Sequence, residues 1–225
     1  NPLPLKGEGM LVGIIDTGVN TDHPSFQDLG GDGYDHSNPL GAGTYLGDCA
    51  NGSNQCNDKL IGVYSWPIIT DLFGATRTHN GEDYQGHGSH TASTTAGNVV
   101  MNVPYKGAQP GTGVNDGIDA PFSFDQVSGV APHANIISYQ VCYQGDGVVA
   151  PSGCPGEALL AGIEQAVADG VDVINFSIGG GEDLPWSDAY ELTFLAAREA
   201  GGSVAASAGN SGRSASGGEA MKSSD

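Results

Sequence analysis

Met10-Leu-Val-Gly-Ile-Ile15 is a continuous apolar run, and Asp16-Thr17-Gly18 follows it directly. An apolar run of this length without polar interruption is typical of a strand buried on both faces in a parallel sheet. Runs of the same kind recur at residues 134–141, 171–178 and 202–208. We therefore expect several buried strands, with the carboxylate of Asp16 emerging at the carboxyl end of the first.

Two stretches between and after these strands have helical spacing of apolar residues. Residues 157–169 are followed by Gly170, and residues 187–199 are followed by Gly201, and a glycine is the commonest helix stop. The small-residue run 91–97 predicts a third, tightly packed helix. Strands that alternate with helices predict the α/β class, with a parallel central β-sheet and helices on both faces. Active sites of such folds lie at the carboxyl ends of the strands.

Three segments do not fit this regular pattern. Residues 27–81 and 107–126 are rich in turn-forming residues and are predicted to be long loops, and residues 211–225 are predicted to be a loop or tail. The length of 225 residues fits one domain with a sizeable core.

The charge balance narrows the choice of partners. Seven Lys and Arg stand against 26 Asp and Glu, a formal net charge of −19. Nucleic acid is an unsuitable partner because phosphate binding needs clustered cations. No apolar run approaches the roughly 18 residues of a membrane span. The acidity has two interpretations that the sequence does not separate: solubility, including a saline habitat, or attraction of cationic substrates.

The cysteines form two close pairs, Cys49 with Cys56 and Cys142 with Cys154. Four cysteines allow three pairings, and pairing within each short polar loop is the simplest. A metal site is the alternative, but neither pair has the C-x-x-C spacing of zinc knuckles. We therefore expect two disulfides and an oxidising, extracellular compartment. The opening Asn-Pro-Leu-Pro-Leu is expected to follow removal of an upstream segment, and the protein is expected to be secreted.

Asp16 and His87 are the first candidates for chemistry. A buried carboxylate that orients an imidazole allows the imidazole to take the proton of a serine hydroxyl. Asp-Thr-Gly also occurs in aspartic proteases, where a second carboxylate would come from a dimer partner, but the helical pattern disfavours that all-β fold. His87 and His90 are three apart and could share a zinc ion, although the H-E-x-x-H pattern is absent.

Two glycine-rich strand exits are further candidates. Asn210 follows the fourth apolar run in Ala208-Gly209-Asn210, where a side-chain amide could stabilise a developing oxyanion. Ser177-Ile178-Gly179-Gly180 follows the third run and could pair with an extended peptide. Read alone, each of these segments is an ordinary turn or strand exit.

Taken together and in this order, five segments resemble the signatures of the subtilase family of serine proteases. They are Val12-Gly-Ile-Ile-Asp16-Thr-Gly-Val19 with His23-Pro24, Gly86-His87-Gly-Ser-His-Thr-Ala92, Gly129-Val-Ala-Pro132, Asp172-Val-Ile-Asn-Phe-Ser-Ile-Gly-Gly180 and Ala208-Gly-Asn210.

The resemblance implies a role for each motif residue. Asp16 would orient the histidine, His87 would act as general base and acid, and Asn210 would donate to the oxyanion. Ser177, Ile178 and Gly179 would pair with the substrate backbone, and Ser207, Ala208 and Gly209 would form the opposite wall of the specificity pocket. No cofactor is required by this chemistry. The partner would be a polypeptide substrate.

Residues 47–62 resemble the larger subtilases of plants and marine bacteria, many of which insert a protease-associated domain after the oxyanion asparagine. That insertion is not visible in this sequence.

Two departures from the family pattern limit what is expected of this chain. The Gly-Thr-Ser-Met-Ala motif is absent, so we expect residues 1–225 to be a partial catalytic domain, inactive alone, whose serine lies in a separate C-terminal segment. Ser25 stands where many bacterial subtilisins carry a calcium-binding Asp, so a structural calcium ion is possible but no ligands are assigned. The alternative function is a truncated pseudo-protease that binds peptides without hydrolysing them.

Overall fold

Parallel strands form the centre of the molecule in a computed structural model, which describes residues 5–51, 55–71, 79–107, 118–143, 153–180 and 184–209. The strands are β1 (Leu11–Asp16), β2 (Leu46–Gly47), β3 (Leu60–Ser65), β4 (Val100–Gly107), β5 (Ile118–Val127), β6 (Asn135–Gln140), β7 (Val173–Phe176) and β8 (Ser203–Ala206). The α-helices are α1 (Ile68–Asp71), α2 (His87–Ala96), α3 (Gly156–Ala168) and α4 (Ala189–Glu199).

Six strands form one sheet in the order β2-β3-β6-β1-β7-β8, and every neighbouring pair is parallel. The first strand is central because β6 and β7 pair with its two sides. After β1 the chain builds one half of the sheet as far as β6, and then crosses to the other half at β7. Asp16 therefore lies where the strand order changes direction, which is the usual position of a site in open α/β sheets.

Helices cover both faces of this sheet, as the sequence predicted. On one face Val12 and Ile14 of β1 belong to a buried cluster with Ala92 and Ala96 of α2. On the other face a second buried cluster includes Ile15 with residues of α3 and α4. Since side chains of a strand alternate between faces, β1 supplies both cores and is buried along its whole length.

The four predicted strands and the two longer helices are present, with ends that shift by a few residues, but β8 is exposed or half-buried rather than buried. Gly170 has φ of +72° just after α3. Its N–H donates to the carbonyl oxygen of Val167, and the N–H of Val171 donates to that of Ala166. This is the Schellman arrangement that a glycine stop predicts. The predicted small-residue helix is also present, but it begins at His87 rather than at residue 91.

The predicted loop regions are wrong in part. Residues 27–81 contain β3, whose first four residues are buried, and residues 107–126 contain most of β5, which forms an antiparallel hairpin with β4. The β3 strand was missed because its short apolar run, Leu60-Ile-Gly-Val63, lies within a long stretch rich in Gly, Asn and Asp that was interpreted as loop. A Cβ at Gly62 would approach Ile137 and Leu46 to 3.0 Å. The predicted tail, 211–225, lies outside the described residues.

Both predicted disulfides are present, Cys49 to Cys56 and Cys142 to Cys154. The second begins two residues after β6 and joins that strand end to the segment that enters α3. In the described part of the chain, no helix is long and apolar enough to cross a membrane.

Ile163 tests the packing of α3 on the sheet. Its side chain is completely buried in the cluster that contains Ile15. In the full-length protein, Ile163→Ala is expected to lower the free energy of unfolding by about 2 to 5 kcal/mol, because the change removes buried methyl groups and leaves a cavity. Denaturant unfolding measures this change. Val130→Ala is the control, since Val130 is 85% exposed; equal losses in the two variants would contradict the packing.

Candidate active site

The carboxylate of Asp16 lies at the carboxyl end of β1 and is only 1% exposed. Three donors surround it. The N–H of Thr17 donates to Oδ1 at 2.8 Å, Nδ1 of His87 lies 2.7 Å from the same oxygen, and the hydroxyl of Thr91 donates to Oδ2 at 3.1 Å. A carboxylate can be buried only when such donors replace water.

His87 is the first residue of α2, and its imidazole is 45% exposed while its partner carboxylate is buried. A hydrogen bond from Nδ1–H to a carboxylate selects the tautomer that leaves Nε2 unprotonated. Nε2 of this tautomer can accept a proton from another group. The arrangement can therefore support general base catalysis toward a reactant on the accessible side of the ring.

Thr91 is a site residue that the sequence interpretation did not single out. It lies four residues after His87 on α2, so the two side chains share a face of the helix. That spacing was the available signal, because a residue on the same face as His87 also reaches Asp16. Thr91 binds the carboxylate oxygen that His87 leaves unused.

Close approach between two backbones brings Asp16 and His87 together. A Cβ at Gly88 would overlap the carbonyl oxygen of Gly18 and lie 3.0 Å from the hydroxyl oxygen of Thr17. Gly18 has φ of +102°, which L side chains rarely adopt. The glycines of Asp-Thr-Gly and Gly-His-Gly are therefore needed for α2 to begin next to the end of β1.

Gln140 holds the segment that leads into α2 and is 2% exposed. Its Nε2 donates to the carbonyl oxygens of Thr17 and Glu82, at 3.2 and 2.8 Å. Its Oε1 accepts from the N–H of Gly81 and the hydroxyl of Ser65, at 2.9 and 2.7 Å. Gln140 ends β6 beside Asp16, so one amide joins the carboxyl ends of three strands to the approach of α2.

Acidic side chains border this approach. Burial, together with the nearby carboxylate of Asp22, raises the pKa of Glu82 above its ordinary value. The hydroxyl of Thr21 donates to Glu82 at 3.4 Å. These groups place negative charge next to the loop that leads to His87, in keeping with the acidity of the whole chain.

The predicted substrate-binding segments lie at the same edge of the sheet. Phe176 of β7 pairs with Ile15, so Ser177 follows beside Asp16. The N–H of Ser207 donates to the carbonyl oxygen of Phe176 at 3.1 Å, so the two segments leave β7 and β8 side by side. Asn210, the predicted oxyanion donor, lies outside the described residues.

A shared zinc ion was the alternative role for His87 and His90. Among the residues that the structure describes, no group of three or more His, Cys, Asp or Glu side chains could hold a metal ion. His87 contacts Asp16, and His90 is exposed on the same helix. Ser25 offers a hydroxyl where the resemblance implies a calcium-binding carboxylate, and no calcium ligand is assigned.

Comparison with known proteins agrees with this geometry. Residues 7–224 match the Subtilase family of peptidases. Three subtilisin-like proteases of Arabidopsis thaliana are similar to the chain: SBT1.4 at 35% identity, SBT5.6 at 34% and SBT1.7 at 32%. Each match covers 92% of this chain and 25% of the relative.

The parallel α/β sheet with helices on both faces agrees with the fold of that family. The chain belongs to the subtilase family. It spans about a quarter of the length of the curated relatives it matches.

Gly88→Ala tests whether the backbone contact sets the position of His87. The added methyl group would overlap the carbonyl oxygen of Gly18, so α2 must move away from β1. Under the peptidase function proposed below, kcat/KM of the full-length protein is expected to fall roughly 10²-fold, the cost of misplacing a reacting group by about 1 Å. Thr94→Ala, on the exposed side of the same helix, is the control. Unchanged activity in Gly88→Ala would contradict this interpretation.

Proposed function

We propose that the chain supplies the base, the orienting carboxylate and the oxyanion donor of a secreted serine endopeptidase. The observation that carries this proposal is the 2.7 Å contact between Nδ1 of His87 and the buried carboxylate of Asp16. The nucleophilic serine would come from the remaining C-terminal part of the protein. Relatives about four times as long as the chain support a further segment.

The first half of the proposed reaction forms an acyl-enzyme. Nε2 of His87 takes the proton of the serine hydroxyl as its oxygen attacks the carbonyl carbon of the scissile peptide bond. Asp16 stabilises the imidazolium that results and keeps its own charge. The side-chain amide of Asn210 donates to the oxyanion of the tetrahedral intermediate. His87 then protonates the leaving amine, and the carbon–nitrogen bond breaks.

In the second half, water takes the place of the leaving amine and hydrolyses the acyl-enzyme. His87 takes a proton from the water that attacks the acyl carbon, and returns it to the serine oxygen as the ester bond breaks. Through both halves the substrate backbone would pair with Ser177, Ile178 and Gly179. Ser207, Ala208 and Gly209 would form the other wall of the specificity pocket.

The exposed edge of the sheet supports a further segment. Strand β8 is the last of the six, and its residues alternate between exposed and half-buried, whereas β1 and β6 are buried throughout. Parallel sheets are normally covered on both faces and along their central strands. Leu192 and Leu195 of α4 are each 45% exposed. We therefore place the serine-bearing segment against this side of the sheet.

The disulfides are the basis for proposing that the protein is secreted. Two are present in a chain of 225 residues, and disulfides persist mainly in oxidising compartments. No cofactor takes part in the proposed chemistry, and no calcium ligand is assigned.

His87→Ala tests the general base. In the full-length protein, turnover of a peptide substrate is expected to fall on the order of 10⁶-fold in kcat, the size of the effect in subtilisin. Labelling by a fluorophosphonate probe should be lost as well, because the serine is no longer activated. His90→Ala, a change of the exposed histidine on the same helix, is expected to keep both. A folded full-length protein that takes up no probe would instead support the peptide-binding pseudo-protease.

Asn210→Ala tests the oxyanion donor. Removing the amide is expected to lower kcat by about 10² to 10³, as in subtilisin, because the donor acts on charge that develops in the transition state. KM should change little. Steady-state kinetics on the full-length protein separates the two constants, and a kcat near that of the unchanged protein would refute the assignment.

A further inference from the structure

Helix α2 begins at a residue that cannot cap it. The N-cap is Gly86, which has φ of +96° and no side chain to accept from the first turn. The first N–H groups of an α-helix need partners outside the helical ladder. In α2 these partners are Gln85 for His87, Thr17 for Gly88 and Asp83 for Ser89, each at 2.8 Å.

Asp83 is the centre of this cap. Its carboxylate is buried and accepts four hydrogen bonds, from the Thr17 hydroxyl at 2.9 Å and from the N–H groups of Gln85, Gly86 and Ser89 at 3.0, 2.8 and 2.8 Å. Both oxygens are used. A carboxylate at a helix N-terminus also interacts favourably with the helix dipole, and hydrogen bonds to a charged acceptor are stronger than neutral ones.

Thr17 connects this cap to the strand that carries Asp16. Its hydroxyl donates to Asp83 and accepts from the N–H of Gly88, and its own N–H donates to Asp16. The end of β1 and the start of α2 are thus joined by one hydroxyl and one carboxylate.

We propose that Asp83 and Thr17 are positioning residues that set the distance between Asp16 and His87. The inference rests on the proposed function, since the distance matters for catalysis only if His87 is the base. Asp83 fixes the first turn of α2, and Thr17 fixes that turn to the end of β1. The hydrogen bond between His87 and Asp16 then forms because the start of α2 is already held next to the end of β1.

Asp83→Asn is the first test. The asparagine amide has one acceptor oxygen and one donor NH₂ group, whereas the four surrounding groups are all donors. One or more of these donors would therefore face the NH₂ group and lose its acceptor. In the full-length protein, kcat is expected to fall about 10- to 100-fold, with KM within about twofold. The matched control is Asp188→Asn, which weakens the cap of α4, where the carboxylate accepts from the N–H of Tyr190 at 2.8 Å.

The control separates positioning from general stability. Both variants are expected to lower the Tm, and only Asp83→Asn is expected to lower kcat. If the two variants lose kcat to the same extent, or if Asp83→Asn keeps full kcat, the proposal is wrong.

Two variants of Thr17 test the same connection by removing and then restoring its hydroxyl. Thr17→Val keeps the shape of the side chain and removes the hydroxyl, and should lower kcat to a similar extent as Asp83→Asn. Thr17→Ser restores the hydroxyl and should recover most of the loss. The double variant Thr17→Val/Asp83→Asn should lose little more than either single variant, because both changes break the same connection. Additive losses, or no recovery by serine, would contradict the connection.

An NMR signal of His87 tests this inference independently of catalytic activity. The Nδ1 proton of His87, bonded to a buried carboxylate, should give a low-field NMR signal that His87→Ala lacks. We expect Asp83→Asn and Thr17→Val to weaken it and Asp188→Asn to leave it unchanged. If the full-length protein takes up no fluorophosphonate but its signal responds in this way, the protease proposal fails and the positioning inference stands. A signal that none of the variants changes would overturn the inference even in an active enzyme.

Discussion

A buried carboxylate and a half-exposed imidazole share a hydrogen bond of 2.7 Å at the carboxyl end of β1. Burying an unpaired carboxylate would cost several kcal/mol, so the chain must bring donors to Asp16 from elsewhere. All but one of them come from α2, which lies over 70 residues later in the sequence. The position of α2 on the sheet is thus the constraint on which the site depends.

Small residues make that position possible. Ala92 and Ala96 pack α2 against Val12 and Ile14, and Gly88 allows the first turn to touch the backbone of Gly18. A larger residue at any of these points would move the helix away from Asp16. The sequence of α2, which consists mainly of Gly, Ala, Ser and Thr, is therefore explained by packing as well as by chemistry.

Much of this arrangement was readable from the sequence, because its signals are local. Apolar runs predicted β1, β6, β7 and β8, and strand ends predicted that polar residues would gather at one edge. The short polar loops predicted both disulfides. Asp16 and His87 were paired on chemical grounds, since a triad needs an acid that orients a base.

The remaining contacts could not be predicted because they depend on distant parts of the chain. Gln140 meets the approach of α2 only because β6 lies beside β1. Lys59 is completely buried, and its ammonium donates to the carbonyl oxygens of Pro132 and Ala134, at 2.8 and 2.5 Å. Burial lowers its pKa to about 7. No spacing rule links Lys59 to those carbonyl groups, because strand pairing alone brings them together.

The division of the proposed site follows from the topology of the sheet. The orienting acid and the base come from β1, which is central in the sheet, and from α2, which packs against it. The proposed substrate walls come from the exits of β7 and β8, where the sheet ends at an exposed edge among the described residues. The cap formed by Asp83 and Thr17 uses only residues between the end of β1 and the first turn of α2, so its contacts do not involve the exits of β7 and β8.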